Sequence, residues 1–212
     1  MIDGFKLHPG LIDDAARAAM LEAVRDCLAA APLFQPVMPR TGKPFSTRMS
    51  NAGPLGWVSD RAGYRYQPTH PVTGDPWPPM PASVLAVWDA VSDYPAPPEA
   101  CLINWYGPNA RMGLHQDRDE EALDAPVVSI SLGDTAMFRI GAAEKGARTR
   151  SFRLSSGDVL VMGGAARLAR HGIDRILPGT SRLFEAPGRL NLTLRRVSAP
   201  DTARVKDVPN GG

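Results

Sequence analysis

Arg189-Leu190-Asn191-Leu192-Thr193-Leu194-Arg195 alternates without a break. Successive side chains of an extended chain point to opposite faces. The three leucines therefore share one face, and Arg189, Asn191, Thr193 and Arg195 share the other. Such a strand divides an apolar layer from a polar one. Two guanidiniums turned into the interior of a sheet structure are costly unless anions meet them. A dicarboxylate ligand is one answer, because each arginine offers a bidentate fork to a carboxylate. Solvent, or pairing with Asp158 and Glu185, is the other.

Working outward, Cys101–Tyr106 reads as a strand broken by Gly107-Pro108, with Asn104 and Tyr106 on one face. Val127–Leu132, a turn at Gly133-Asp134 and Ala136–Ile140 follow. Arg150–Leu154, the turn Ser155-Ser156-Gly157 and Asp158–Met162 come next. Many short strands with glycine and proline turns predict an antiparallel double-sheet barrel or jelly roll. The 20 glycines and 21 prolines argue against a helical bundle. No glycine-rich strand-to-helix fingerprint marks a dinucleotide fold. The N-terminal half differs. Asp13 or Asp14 caps a helix to about Ala30, with Met20 in its core face. Pro81-Ala82-Ser83 opens a second helix ending near Tyr94. Between them no clean period survives, and short strands are expected near 45–51 and 63–66. The class is α+β, functionally one domain. Its parts are an N-terminal extension and support helix (1–31), an aromatic basic segment (32–81), a second support helix and linker (82–99), a catalytic core (100–198) and a flexible tail (199–212).

Between the core strands lies Leu114-His115-Gln116-Asp117-Arg118-Asp119-Glu120-Glu121, answered by Arg170-His171-Gly172. An i, i+2 spacing in an extended segment points His115 and Asp117 the same way while Gln116 faces outward. His171 would arrive from a strand alongside. Two imidazoles and one carboxylate form a facial triad suited to Fe(II), leaving the opposite face open for co-substrate and O₂. Zinc takes similar ligands, with water as nucleophile. His8 and His70 read as ordinary surface or loop histidines. The net charge is only +2, but it is unevenly spread. Arg40, Lys43, Arg48, Arg61 and Arg65 outnumber Asp60 and Asp75 over 32–81, and basic residues dominate again over 139–196. Asp117, Asp119, Glu120, Glu121 and Asp124 crowd the centre. An acidic centre between basic flanks suits a metal site facing a polyanion. Charge alone leaves open a set of merely solvated faces. Trp57, Tyr64 and Tyr66 among arginines could stack on bases, or could simply cover a sheet. Two cysteines, Cys27 and Cys101, make no disulfide framework and fit a reduced, cytoplasmic compartment. No signal-like or membrane-spanning apolar run is present.

The stretches Ala100–Tyr106, Leu114–Glu120, His171-Gly172-Ile173 and Arg189–Arg195 closely resemble the AlkB family, most of all its bacterial DNA-repair dioxygenases. The likeness runs from about Ala31 to Val197 and includes Gly56-Trp57 and Gly63-Tyr64-Arg65-Tyr66. It implies a double-stranded β-helix (jelly-roll) core with a nucleotide-recognition lid over 32–81. It implies Fe(II) on His115, Asp117 and His171, with 2-oxoglutarate and O₂ as co-substrates. Arg189 and Arg195 would take the two carboxylates, helped by Asn104, Tyr106 and Asn191. Trp57 would pack on the damaged base, opposite the ring of His115. Tyr64 would hold the nucleotide backbone, and Asp119 would lie near the lesion, completing the catalytic set. Met49, Ser50 and Lys145 fall in the substrate-contact region. The implied reaction is oxidative demethylation of 1-methyladenine and 3-methylcytosine in alkylated DNA, with RNA as an open alternative, by a monomer without membrane contact. Met162, Ala169 and a slightly long 177–188 segment depart from the family pattern and border the pocket. A zinc hydrolase and a non-catalytic nucleic-acid-binding module are the competing classes.

Overall fold

The computed structural model describes residues 3–199, so all of the expected tail but Ala199 lies outside the described residues. Helix α1 spans Asp14–Ala30. Its N-cap is Asp13, whose carboxylate accepts the backbone N–H of Ala16 at 2.8 Å. Met20, Leu21, Val24 and Cys27 form its buried stripe. Helix α2 runs Ala82–Val91, three residues short of the expected end, and buries Val84, Val87 and Trp88.

Twelve strands complete the fold: β1 Phe5–His8, β2 Arg48–Ala52, β3 Gly56–Asp60, β4 Gly63–Gln67, β5 Ala100–Tyr106, β6 Met112–His115, β7 Val127–Gly133, β8 Thr135–Gly141, β9 Thr149–Leu154, β10 Val159–Met162, β11 Arg170–Leu177 and β12 Arg189–Arg195. A six-stranded sheet has the order β1-β10-β7-β12-β5-β2. A four-stranded sheet has the order β6-β11-β8-β9, and β3 pairs with β4 alone. All pairings described are antiparallel. Each step from β5 to β12 changes sheet except β8 to β9. No hydrogen-bonded closure joins the sheets into a barrel among the described residues.

Alternation decides the layers. The outer face of the six-stranded sheet carries Ile103, Val128, Ile130, Leu132, Val159, Val161 and the three leucines of β12, all packed with α1 and α2 in one core. The inner face packs Tyr106, Val127, Leu160 and Met162 against Phe138, Ile140 and Ile173 of the smaller sheet. A third cluster, Phe34, Met49, Val58, Trp77 and Leu102, seats the β3–β4 hairpin on the edge of the large sheet. His70 lies in a loop as expected but is 3% exposed. Its Nδ1 accepts the N–H groups of Val72 and Thr73, so Nε2–H donates to Pro32 O at 2.9 Å. It pins the segment leading into Trp77. The 177–188 segment, expected to border the pocket, packs away from the cavity instead. Phe184 meets Trp105 edge-on at 5.2 Å, and Asp134 accepts the N–H groups of Ser181 and Gly188. No helix among the described residues is long and apolar enough to cross a membrane.

Candidate active site

His115 closes β6 and His171 is its direct cross-strand partner in β11. Gly172 makes the approach possible: a Cβ there would stand 2.5 Å from Met112 O and 2.9 Å from Gly113 O. Asp117 sits two residues past the end of β6, outside regular secondary structure. Gln116 turns away and donates to Leu168 O at 2.7 Å. The ligand atoms of His115, Asp117 and His171 all lie within 4.8 Å of one another. Nε2 of His115 is 3.6 Å from Oδ1 of Asp117, and Nε2 of His171 is 3.7 Å from Oδ2.

Both imidazoles are oriented from behind. Nδ1 of His115 meets Gly113 O at 2.9 Å, and Nδ1 of His171 meets Ala169 O at 3.0 Å. A carbonyl only accepts, so each Nδ1 carries the proton, and each Nε2 is left to face Asp117. Burial disfavours the charge of His115, but Asp117 outweighs it through hydrogen bond and charge and lifts its pKa above the ordinary value. Burial, and then the neighbouring charge of His115, push His171 down to about 4. Asp117 is buried, which favours its protonated form. Arg195 and the two histidines overcome that and hold it well below the usual carboxylate range. Its Oδ2 has no hydrogen bond of sound geometry despite Arg195 Nη2 at 2.9 Å. Two imidazole nitrogens facing a carboxylate with one unsatisfied oxygen fit a divalent metal.

These groups floor a cavity of about 460 Å³. The sheet supplies the rest of its wall. Arg189 is 1% exposed and donates to Asp134 O, Leu154 O and Ser131 Oγ at 3.3, 3.2 and 2.7 Å. It has no carboxylate partner, its Nε is unpaired, and burial lowers its pKa to about 10. Asp158 instead accepts the backbone N–H groups of Gly10 and Ser155, so the ion pair open to Arg189 on sequence grounds is not made. Asn104 donates to Asn191 at a long 3.4 Å and keeps an unpaired Oδ1. Tyr106 and Thr193 line the same wall. An unpaired buried guanidinium beside unsatisfied amide and metal-facing groups fits a carboxylate-bearing co-substrate.

The mouth is aromatic. Trp57 and Tyr64 stack with ring centroids 5.6 Å apart, and Phe45 meets Trp57 edge-on at 6.3 Å. Trp57 Nε1 donates to Asp119 Oδ2 at 2.9 Å. The structure thus gathers His115, Asp117, His171, Asn104, Tyr106, Arg189, Asn191, Arg195, Trp57, Tyr64, Met49 and Asp119 around one cavity. Two expected contacts stand elsewhere. Ser50 follows Met49 in β2 and so faces the opposite side, where its buried hydroxyl donates to Ala31 O at 2.7 Å. Lys145 lies exposed in the β8–β9 connection, off the cavity wall. Met162 does line the cavity. Sequence reasoning passed over Glu120 and Arg167, whose side chains meet beneath the triad at 3.0 Å. Neither has a spacing that marks it.

The 2OG-Fe(II) oxygenase superfamily model matches residues 4–195. The chain is 53% identical over 196 residues to an alpha-ketoglutarate-dependent dioxygenase AlkB homolog of Caulobacter vibrioides, covering 92% of this chain and 89% of that one. It is 40% identical to alpha-ketoglutarate-dependent dioxygenase AlkB of Escherichia coli, covering 85% of each. The solved structure of OsALKBH1 superposes with a TM-score of 0.76 at 30% identity, covering 92% of this chain and 99% of that one. With that extent of match and that site, the chain belongs to the AlkB family of Fe(II)/2-oxoglutarate-dependent dioxygenases.

Proposed function

We propose that this protein oxidatively removes N-methyl groups from nucleobases in alkylated DNA, with 1-methyladenine and 3-methylcytosine as substrates and single strands preferred. The reaction consumes 2-oxoglutarate and O₂ and releases formaldehyde, succinate and CO₂. One observation carries the reading: the triad and a buried, anion-seeking arginine share a cavity whose mouth is a stacked tryptophan and tyrosine. In this reading the alternation of β5–β12 between two sheets is a double-stranded β-helix, or jelly roll, and residues 32–81 form a nucleotide-recognition lid.

Iron held by His115, Asp117 and His171 would supply the oxidising chemistry. The chain does the rest. Arg189 and Arg195 bind the co-substrate carboxylates, with Asn104, Tyr106 and Asn191 completing the contacts. Nδ1–H of each histidine, anchored on a backbone carbonyl, keeps Nε2 aimed at the metal position. Trp57 stacks on the extruded base, and Tyr64 holds its backbone. Asp119 lies at the indole, where its carboxylate attracts a cationic methylated base. An unpaired or damaged base is cheaper to extrude, which favours single strands. The basic flanks hold phosphates and make binding salt-sensitive.

The deciding experiment is mass spectrometry of a 1-methyladenine or 3-methylcytosine oligonucleotide incubated with protein, Fe(II), ascorbate and 2-oxoglutarate, with controls lacking each. Loss of one methyl mass in the complete mixture alone, with succinate formed, supports the reading. Parallel DNA and RNA strands rank the two polymers. Steady 2-oxoglutarate turnover with both strands untouched refutes the nucleobase assignment.

A further inference from the structure

The chemistry above gives no task to Glu120, the buried carboxylate near Asp117 in the loop after β6. Glu120 is 6% exposed, three residues past Asp117. Its Oε1 accepts the hydroxyl of Tyr66, which belongs to β4, and lies 3.3 Å from Arg195 Nε. Its Oε2 accepts Arg167 Nη2 at 3.0 Å. Arg167 also donates to Ala125 O at 2.8 Å and to the backbone carbonyl of Asp117 at 2.5 Å. Arg195 reaches Asp117 Oδ2 at 2.9 Å. Two carboxylates and two guanidiniums therefore share one buried cluster, and Tyr66 is the member drawn from the β3–β4 hairpin. Tyr66 stands directly opposite Trp57 across that hairpin. A hold on the phenol is a hold on the strand that carries the base-stacking indole.

We propose that Glu120 is a positioning residue coupling the seat of the lesion base to the co-substrate: it draws Tyr66, and with it the Trp57 strand, onto the loop after Asp117, while fixing the Arg195 guanidinium beside that aspartate. The inference rests on reading residues 32–81 as the lid and Arg195 as a co-substrate ligand. Coupling between two sites is reciprocal. Whatever loosens Tyr66 weakens 2-oxoglutarate binding, and 2-oxoglutarate in turn steadies the hairpin. A buried carboxylate kept only for stability gains little over apolar packing, whereas one that joins the hairpin to the metal loop has a reason to be ionic.

The test uses the full chain, Tyr66→Phe and Glu120→Gln. Tyr66→Phe removes one oxygen and leaves all four charges, so it folds even if Glu120→Gln does not. Hydrogen exchange of the 56–67 segment is followed with and without 2-oxoglutarate in anaerobic Co(II)-loaded protein, and co-substrate affinity is measured by calorimetry. A hydrogen bond to a charged group contributes about 1.5–3 kcal/mol, so Tyr66→Phe should speed hairpin exchange by about tenfold or more. Exchange in β5 and β12 should stay as in wild type, which a loss of general stability would not allow. The variant hairpin should no longer slow on adding 2-oxoglutarate, whose affinity should fall several-fold. The double variant should exchange no faster than Glu120→Gln alone. Hairpin exchange within about twofold of wild type in Tyr66→Phe, or a retained response to 2-oxoglutarate, overturns the proposal. A wild type that binds no 2-oxoglutarate refutes the functional reading and with it the co-substrate half of the coupling. Exchange in the ligand-free variants then still decides the tie between Glu120 and Tyr66.

Discussion

Arg189→Met separates binding from stability at one position. The guanidinium is 1% exposed, makes three hydrogen bonds to neutral acceptors and meets no carboxylate. Its pKa of about 10, against an ordinary 12.5, corresponds to about 3 kcal/mol of penalty on the charged form. Methionine of similar length removes that penalty. It also strips donors from Asp134 O and Leu154 O, at about 1–3 kcal/mol for each acceptor left unsatisfied. The two effects largely offset one another, so the ligand-free variant should differ from wild type by no more than about 3 kcal/mol in denaturant unfolding. Co-substrate binding has no such offset. A carboxylate buried without its guanidinium loses about 3–5 kcal/mol, or about 10²- to 4 × 10³-fold in affinity. Calorimetry of 2-oxoglutarate into anaerobic Mn(II)-loaded protein reads the affinity. Methionine in place of Arg189 with co-substrate affinity within about tenfold of wild type would show that this arginine is a structural ion and not the anion site.

Three further outcomes follow from the same geometry. His115→Ala should lose iron and turnover while retaining affinity for single-stranded DNA, measured by metal analysis and fluorescence anisotropy; unchanged demethylation would dismiss the triad. Trp57→Ala should reduce affinity for a methylated strand by about 1–3 kcal/mol and leave the salt dependence of binding intact, because stacking is lost and phosphate contacts are not. Metal-free protein should lose stability as pH falls from 6.5 toward about 4. In that window the unfolded chain protonates His171 and the folded chain does not. His115, whose pKa is raised, keeps its full contribution below 6.5 and does not oppose the slope. His171→Leu should flatten the chelated protein's pH–stability curve there, and an unchanged slope would place the titration elsewhere.

The parts of the fold that obey a simple period were legible. β12, β5 and β7 alternate cleanly because each separates the helix-covered core from the cavity wall, and α1 carries both a cap and an apolar stripe. β6 was invisible as a strand: its four residues, Met112–His115, include a glycine and end on a metal-facing histidine. β3 was missed because Gly56-Trp57-Val58-Ser59-Asp60 has no apolar alternation, its packing coming from Trp77 and Val58 in a separate cluster. The triad could be read because its chemistry demands particular residues at a particular spacing, and strand alternation was enough to put Arg189 and Arg195 on one cavity wall. The cluster that joins Tyr66, Glu120 and Arg167 could not be read, since its partners are set by tertiary contacts 47 to 54 residues distant. Ser50 fails for the opposite reason: a one-residue step along β2 moves a side chain from the cavity to the core.

The buried charges directly beneath the triad are balanced before any ligand arrives. Asp117 and Glu120 face Arg195 and Arg167 within 3.3 Å. Arg189, alone on the far end of β12, is the buried guanidinium among these without a carboxylate partner. A divalent cation alone would have to enter a cluster in which Arg195 already neutralises its carboxylate ligand. A dianion alone would have to displace Asp117 from Arg195. If Arg195 takes a co-substrate carboxylate as proposed, the two entering together would cancel one another's charge, and the dicarboxylate would supply to Arg195 what the metal withdraws from it. The polar face of β12 thus does more than admit an anion. On the proposed reading, one paired and one unpaired arginine on the same wall would favour joint occupancy of metal and co-substrate over either one separately.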